Sequence, residues 1–460
     1  MLSYARCISP IDGSVYVERT HADATAIEAA LASARSAQPQ WARLPLAERI
    51  ALVLAAIEAL GAMNDEVVTE LAWQMGRPVR YGGEFRGVAE RSHYMAGIAA
   101  EALAPLIIED SPQAARRIVR EPHGLVLAIA PWNYPYMTAI NTIVPALIAG
   151  NAVLLKHATQ TLLVGERLAQ AFALAGLPDG VFQTLVLDHA ATTQLIARRQ
   201  VNCVNFTGSV PAGTHIEQAA AGSFITLGLE LGGKDGAYVM DDADLEAALD
   251  GLVDAAFFNS GQSCCGIERI YVHRRLYADF VEGAVERARR YRLGNPLDPE
   301  TTLGPMAQAR LAASVRQQIA EAITAGARAH LATLPADDGG AYLSPQILTE
   351  VNHGMALMRE ESFGPVVGIQ PVDDDTQALA LINDSRYGLS ASLWTRDRER
   401  AAALGAAIDV GTVFMNRADY LDPALCWTGR KDTGRGGSLS SIGYHALTRP
   451  KSYHLREINP

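Results

Sequence analysis

The chain is poor in several things, and each shortage excludes something. Its 460 residues hold five cysteines, an odd number with Cys264 and Cys265 adjacent. That is too few and too irregular for a disulfide framework, and a reducing cytosol fits better. Basic residues number 39 against 50 acidic ones, a net charge of −11 with no basic stripe. No electrostatic footprint for nucleic acid or anionic lipid is left. No apolar run approaches the roughly 18 residues of a membrane span, and the opening MLSYARCISPIDG lacks the basic stretch and apolar core of a signal peptide. The expectation is a cytoplasmic protein with neither nucleic acid nor membrane as partner. The 11 His and 5 Cys show no metal-ligand spacing, so no metal is expected. No GxGxxG follows any strand-like run, and there is no internal repeat or low-complexity linker.

What is present reads as two or three domains, taking roughly 150 residues each. Ile50, Val53, Leu54 and Ile57 recur at helical spacing, with Gly61 where that helix would stop, and the chain reads as helical to about Ala104. The opening residues, MLSYARCISPIDG, read as ordinary surface chain. Residues 112–121, PQAARRIVRE, predict an exposed strand. Short apolar runs then alternate with helical segments: Leu125–Ala130, Met137–Ala149, Ala152–Leu155, a helix closing near Gly176, Val181–Val186, Val201–Phe206 and Phe224–Glu230. Such alternation predicts an α/β fold with a parallel sheet covered on both faces, whose ligands sit beyond the strand C-termini. After VNCVNF come Thr207, Gly208 and Ser209, with Gly213 at the head of a helix, where backbone N–H groups can take phosphate. From Gly232 a second α/β unit follows: a helix around Asp244–Ala256 and strands near Ile270–Val272, Val366–Ile369, Ser390–Trp394 and Val413–Met415.

Three stretches could carry chemistry. Phe257–Cys265 offers a thiol behind Gly261, and a thiol is a nucleophile only as thiolate. A solitary cysteine is ordinarily a small buried apolar residue, and Cys7, Cys203 and Cys426 are read that way. Glu230 closes an apolar strand before Gly232 and Gly233; alone it would be a solvated or hydrogen-bonded carboxylate. Asn133, in Pro131-Trp132-Asn133-Tyr134-Pro135, is a turn former or an oxyanion donor.

Together with Gly208-Ser209, Lys156 and Glu361-Ser362-Phe363-Gly364-Pro365, these stretches resemble the aldehyde dehydrogenase superfamily across essentially the whole chain. The separations of 34 residues from Glu230 to Cys264 and 97 from Cys264 to Glu361 match that family's pattern. Several motifs in register say more than one short motif could. The resemblance implies a Rossmann-like parallel-sheet cofactor domain (1–105 and 123–231), a second α/β catalytic domain (232–430) and a small β oligomerisation element (106–122 and 431–460) that makes a homodimer or homotetramer.

It also implies roles. Cys264 is the nucleophile toward an aldehyde, Asn133 and the Cys264 amide hold the oxyanion, and Glu230 activates water against the thioester. NAD or NADP would lie against Trp132, Lys156, Thr159, Gly208, Ser209, Gly213, Leu231, Glu361 and Phe363. Tyr134, Tyr136, Asn141, Ser263 and Trp427, with Tyr420, would line the substrate tunnel. Departures from the family pattern refine this. Thr159 stands where NAD-preferring members carry a glutamate, so NADP should be accepted alongside NAD. Ser438 replaces a glutamate that often assists the general base, so deacylation should be slow. Asn141 stands where succinate semialdehyde oxidisers carry arginine, which favours an apolar or aromatic aldehyde. The alternatives are an aminoaldehyde or a semialdehyde dehydrogenase of the same mechanism; Asp419 and Asp422 leave the cationic aminoaldehyde open, although both read as solvated loop residues. An acylating enzyme that uses coenzyme A usually lacks the glutamate base, and a retired binding or structural protein would have lost the nucleophile; this chain keeps both.

Overall fold

The run Leu125–Ala130 is buried along its whole length because it lies inside a six-stranded sheet. The computed structural model describes residues 3–457. Across this first sheet the order is Gly434–Arg435, Thr226–Glu230, Cys203–Thr207, Leu125–Ala130, Ala152–His157, Phe182–Thr184. All neighbours are parallel except Gly434–Arg435, which arrives from the far end of the chain and pairs antiparallel with Glu230 and Leu229. Strand succession runs outward from Leu125–Ala130 in one direction and then resumes on its other side at Cys203–Thr207. The crevice at that reversal is bounded by the turns carrying Trp132, Asn133, Gly208 and Ser209, where an open parallel sheet binds ligands.

A second sheet of seven strands runs Arg328–Ala329, Gln346–Thr349, Val366–Val372, Ile267–His273, Asp235–Val239, Ser390–Trp394, Thr412–Met415, parallel apart from the two-residue edge. Each sheet has its own apolar cores: one set under Leu125–Ala130, the other around Tyr238, Tyr271 and Trp394. A third sheet joins Thr448–Arg456, Ala114–Pro122 and Leu106–Asp110 antiparallel, with Ser452 opposite Ile118. Ile458, read from sequence as part of this element, lies outside the described residues. Among the described residues no helix is long and apolar enough to cross a membrane.

Several expectations need correction. The opening residues are not surface chain: Tyr4–Ile8 pairs with Val15–Thr20, and Cys7 is fully buried beneath them. The strand expected over Val181–Val186 shortens to Phe182–Thr184. The helix read as stopping at Gly61 ends one residue further on, running Leu46–Ala62, and the Phe85 ring fills the space a side chain would need at Gly61. Asp235–Val239 is a buried central strand that no alternation announced.

Candidate active site

The helix Leu245–Phe257, capped by Asp244, delivers the chain into a sharp crook. Asn259, Ser260 and Gly261 follow one another with φ of 53°, 58° and 69°. Such left-handed backbone persists only when its surroundings hold it. Here the Asn259 amide donates to the Asn133 carbonyl (3.1 Å) and the Gln262 carbonyl (3.2 Å), and Ser260 donates to the Gly304 carbonyl (2.8 Å). Gln262 Oε1 accepts from the Ala307 amide at 2.8 Å. The crook leaves Cys264 partly exposed and turns Cys265 inward. Contact with Cys264 and burial push the Cys265 thiol well up, so it stays protonated beside its neighbour. Ser263 and Cys265 both donate to Asp419 Oδ1, at 2.6 and 3.1 Å. Asp419 is therefore no solvated loop residue; it sits behind the thiol with φ 49°. Ser263 spends its hydroxyl on that carboxylate. Asp422 does cap its own turn, accepting from the Ala424 amide at 2.9 Å.

Asn133, buried at the end of Leu125–Ala130, donates from Nδ2 to the Gln262 carbonyl at 3.2 Å, two residues before Cys264. Its own carbonyl accepts from Arg77 Nη2 (2.7 Å), and Arg77 pairs with Glu84 at 2.6 Å. Glu84 in turn accepts from the Met137 amide (2.7 Å) in the first turn of Pro135–Ile148, where a carboxylate meets the positive helix end. The Arg77 guanidinium lies 5.1 Å from the Tyr134 ring centre. Neither Arg77 nor Glu84 stands in a motif, and sequence reading passed over both.

Glu230 closes its strand with its carbonyl accepting from Gly208 (3.0 Å) and its carboxylate from Thr207 Oγ1 (3.3 Å). Burial raises its pKa, opposed by the Ser438 and Thr207 hydroxyls and the charge of Arg91. Trp427 and Ser438 exchange two backbone bonds of 2.9 Å, which brings the Ser438 hydroxyl toward the carboxylate without a hydrogen bond of good geometry. Gly233 lies against the Cys264 carbonyl, where an added β-carbon would stand 2.5 Å from the oxygen. The strand end of the first sheet and the nucleophile are thus in contact.

Glu361 Oε1 accepts from the Gly233 amide at 2.9 Å, and Gly232 has no room for a side chain because this carboxylate covers it. Burial, then Glu268, push Glu361 up to about 8. Glu268 pairs with Lys234 at 2.5 Å and accepts from the Ser362 and Phe363 amides at 2.8 Å each. Lys234 stood unassigned in the sequence, and Glu268 was missed. Phe363, at φ 51°, meets the Trp132 ring edge-on, centroids 5.5 Å apart.

Lys156 ends the strand Ala152–His157, its pKa lowered by burial, and Thr159 is exposed one turn on. Ser209 caps Val210–Ala220, accepting from the Ala212 amide at 3.4 Å. Two phosphate expectations are corrected. The Gly208 N–H is spent on Glu230 and the Gly213 N–H on the Ser209 carbonyl (2.9 Å); Gly213 instead leaves room for the buried Leu231. Tyr136 is also corrected: it is 2% exposed among Val67, Phe85 and Val88, on the far side of its helix from the site. Trp427 is buried in the same core. Tyr420 turns away, donating to Glu90 at 3.2 Å. Asn141 is buried and accepts from Arg91 Nη1 at 3.2 Å.

The profile of the aldehyde dehydrogenase family matches residues 3–453. The succinate semialdehyde dehydrogenase [NAD(P)+] Sad of Escherichia coli K12 is 34% identical over 446 residues, 96% of each chain. The 3,6-anhydro-alpha-L-galactose dehydrogenase of Streptomyces coelicolor is 32% identical, covering 98% of this chain and 92% of that protein. Among solved structures, NADP-dependent glyceraldehyde-3-phosphate dehydrogenase from Bacillus halodurans, complexed with NADP, superposes with TM-score 0.93 at 30% identity, over 99% of this chain and 96% of that one.

Proposed function

The chain belongs to the aldehyde dehydrogenase family, and from that premise we propose how its own residues divide the oxidation of an aldehyde to the carboxylic acid with NAD(P)+. One observation carries the reading: three segments converge on Cys264. Asn133 reaches the loop through the Gln262 carbonyl, Gly233 packs on the Cys264 carbonyl, and Glu361 seals the Gly232 turn.

The crevice residues fit a dinucleotide. Lys156 and the Ser209 end of Val210–Ala220 supply positive ends for ribose and pyrophosphate; Glu361 supplies a buried acceptor over a glycine that nothing larger could replace. Leu231, Trp132 and Phe363 frame the inner end. Thr159 brings no carboxylate against a ribose 2′-phosphate, which supports acceptance of NADP beside NAD.

The Cys264 thiolate attacks the carbonyl carbon; the C–S bond forms as the C=O pair moves onto oxygen. Asn133 Nδ2 and the Cys264 amide hold that oxyanion, each contributing about 3–4 kcal/mol. NAD(P), held by Lys156, Ser209 and Glu361 with Trp132 and Phe363 at its inner end, would supply the acceptor for the hydride that this carbon loses on becoming a thioester. Glu230 then takes a proton from water, the hydroxide adds to the thioester carbon, and the C–S bond breaks to release the acid and the thiolate. Asp419, through Ser263 and Cys265, fixes the loop that presents the sulfur.

Tyr134 gives the substrate side an aromatic character, while Arg91 adds a cation behind Asn141. The sheet of Leu106–Asp110, Ala114–Pro122 and Thr448–Arg456 leaves Leu106, Ile107, Ile108 and Leu455 exposed, which supports pairing into a homodimer or homotetramer. Five free cysteines, Cys7 and Cys203 with thiols pushed up to about 12 by burial, suit the cytoplasm.

The test is to incubate the protein with propanal or benzaldehyde and each cofactor, with and without coenzyme A, and follow absorbance of the reduced nicotinamide. Turnover without coenzyme A that disappears in Cys264→Ala supports the reading. Turnover that needs coenzyme A would favour the acylating reaction, and none at all a binding protein.

A further inference from the structure

Arg91 is a buried cation that forms no salt bridge among the described residues, although the charges of Glu84, Glu230 and Glu90 are near enough to act on it. It projects from the helix Phe85–Ala102 toward Pro135–Ile148 and is 9% exposed. Nη1 is anchored by the Met137 carbonyl and by Asn141 Oδ1, both at 3.2 Å. Nε and Nη2 find no protein acceptor among the described residues, and neither is sealed in as a buried orphan. Glu84, near enough to raise the Arg91 pKa against burial, is already committed to Arg77 and the Met137 amide. Glu230 acts on Arg91 through charge alone, without a hydrogen bond. Buried guanidinium groups are ordinarily paired, so an unpaired one beside a reaction centre marks a place built for an incoming anion.

Resting on the dehydrogenase reading above, we infer that Arg91 receives a carboxylate at the far end of the substrate, and that the substrate class is an aldehyde acid, an ω-oxo carboxylate. Asn141 seemed from sequence to leave the tunnel neutral. The fold replaces that missing charge from another helix, 50 residues upstream, and uses the Asn141 amide oxygen to orient it. Arg77 and Lys234, buried nearby, are engaged by Glu84 and Glu268, and Lys156 lies at the proposed cofactor end of the crevice. The two free donors form the fork that grips both oxygens of a carboxylate, a contact a lysine cannot reproduce.

The experiment compares succinate semialdehyde with butanal, the same chain without the carboxylate, in wild type, Arg91→Gln and Arg91→Lys, with NADP. Wild type should prefer the semialdehyde, and succinate should inhibit competitively where butyrate does not. In Arg91→Gln the preference ratio in kcat/KM should fall on the order of 100-fold, carried by the semialdehyde KM, with Arg91→Lys between. If both aldehydes instead lose kcat in parallel, with the acid limb of the pH profile displaced, Arg91 serves Glu230 and the inference fails. It fails equally if wild type oxidises butanal as well as the semialdehyde and ignores succinate, a result that needs no variant to fold. If wild type oxidises neither compound nor benzaldehyde, the dehydrogenase reading falls and takes this inference with it.

Discussion

Gly261 packs its backbone against the Gly364 carbonyl, so that a β-carbon at 261 would collide with that oxygen and with the Pro365 nitrogen. The nucleophile loop and the Glu361–Pro365 loop are therefore fitted to each other at a glycine whose φ is 69°. Gly261→Ala combines left-handed strain with a clash against backbone that cannot yield. The expected cost is at least about 2 kcal/mol of stability. Folded variant should also alkylate more slowly at Cys264 and lose most of its turnover. Thermal melting and iodoacetamide kinetics check the two effects separately.

Glu230 gives a pH prediction with a definite sign. It must be ionised to accept a proton from water, and burial raises its pKa above 4.5. Hydrolysis should then fall away, as the medium is acidified, at a higher pH than it would with an ordinary exposed glutamate. Glu230→Gln should retain acylation and lose about 10²–10⁴ in hydrolysis, leaving a burst of reduced cofactor near one equivalent per subunit in stopped flow. For stability the raised pKa means the native state holds its proton where the unfolded chain has released it. Wild type should therefore lose stability relative to Glu230→Gln as pH rises from the unfolded value through the folded one. Ser438, lacking a carboxylate to relay the proton, should give wild type a smaller burst of the same kind.

The proposed cofactor site puts Thr159 at the adenosine ribose, which makes cofactor choice a test of it. It is exposed beyond the strand that ends in Lys156 and His157, so a longer acid is accommodated there without repacking. Thr159→Glu should bond the adenosine ribose hydroxyls of NAD and repel a 2′-phosphate. The NAD over NADP ratio in kcat/KM should rise at least tenfold, about 1.4 kcal/mol. An unchanged ratio would place the ribose elsewhere.

The legible parts of this molecule were those whose information is local. Leu125–Ala130 and Ser390–Trp394 are runs of β-formers buried on both faces, and the structure keeps both with the bounds read from sequence. Cys264, Glu230, Asn133 and Glu361 stood out because glycines and turn residues flank them at fixed spacing, and the fold brings their segments into contact. Asp235–Val239 was illegible because DGAYV opens with two poor strand formers; its place is secured by Asp235 accepting from the Ser390 amide, 155 residues away. Tyr136 was misread beside Tyr134 because Tyr134 stands just before the helix with φ −131° and ψ 70°, whereas Tyr136 lies in its first turn and is buried in the core. Arg77, Glu84, Arg91 and Glu268 escaped notice for one shared reason. Each acts through a partner distant in sequence, such as Asn259 for Arg77 at a separation of 182, and nothing in their own surroundings advertises it.

The buried pair Lys234–Glu268 is the support on which the Glu361–Phe363 segment rests. Glu268 accepts from Lys234, Ser362 and Phe363 at once, so its charge is satisfied by one ammonium and two amides. Lys234→Met removes the ammonium and leaves a buried carboxylate without its counter-charge. That single change should cost about 3–5 kcal/mol. Adding Glu268→Gln removes the stranded charge but keeps an acceptor for only one of the two amides, since Ser362 and Phe363 donate to different oxygens, so the double variant should recover part of the loss. A double-mutant cycle by chemical denaturation measures the coupling. Cofactor titration gives the functional half: Lys234→Met should weaken NAD(P) binding because the loop carrying Glu361 and Phe363 loosens, and the double variant should bind more tightly than the single. Additive stability losses, with no coupling between the two positions, would show that the segment is held by Gly261 and Gly364 instead.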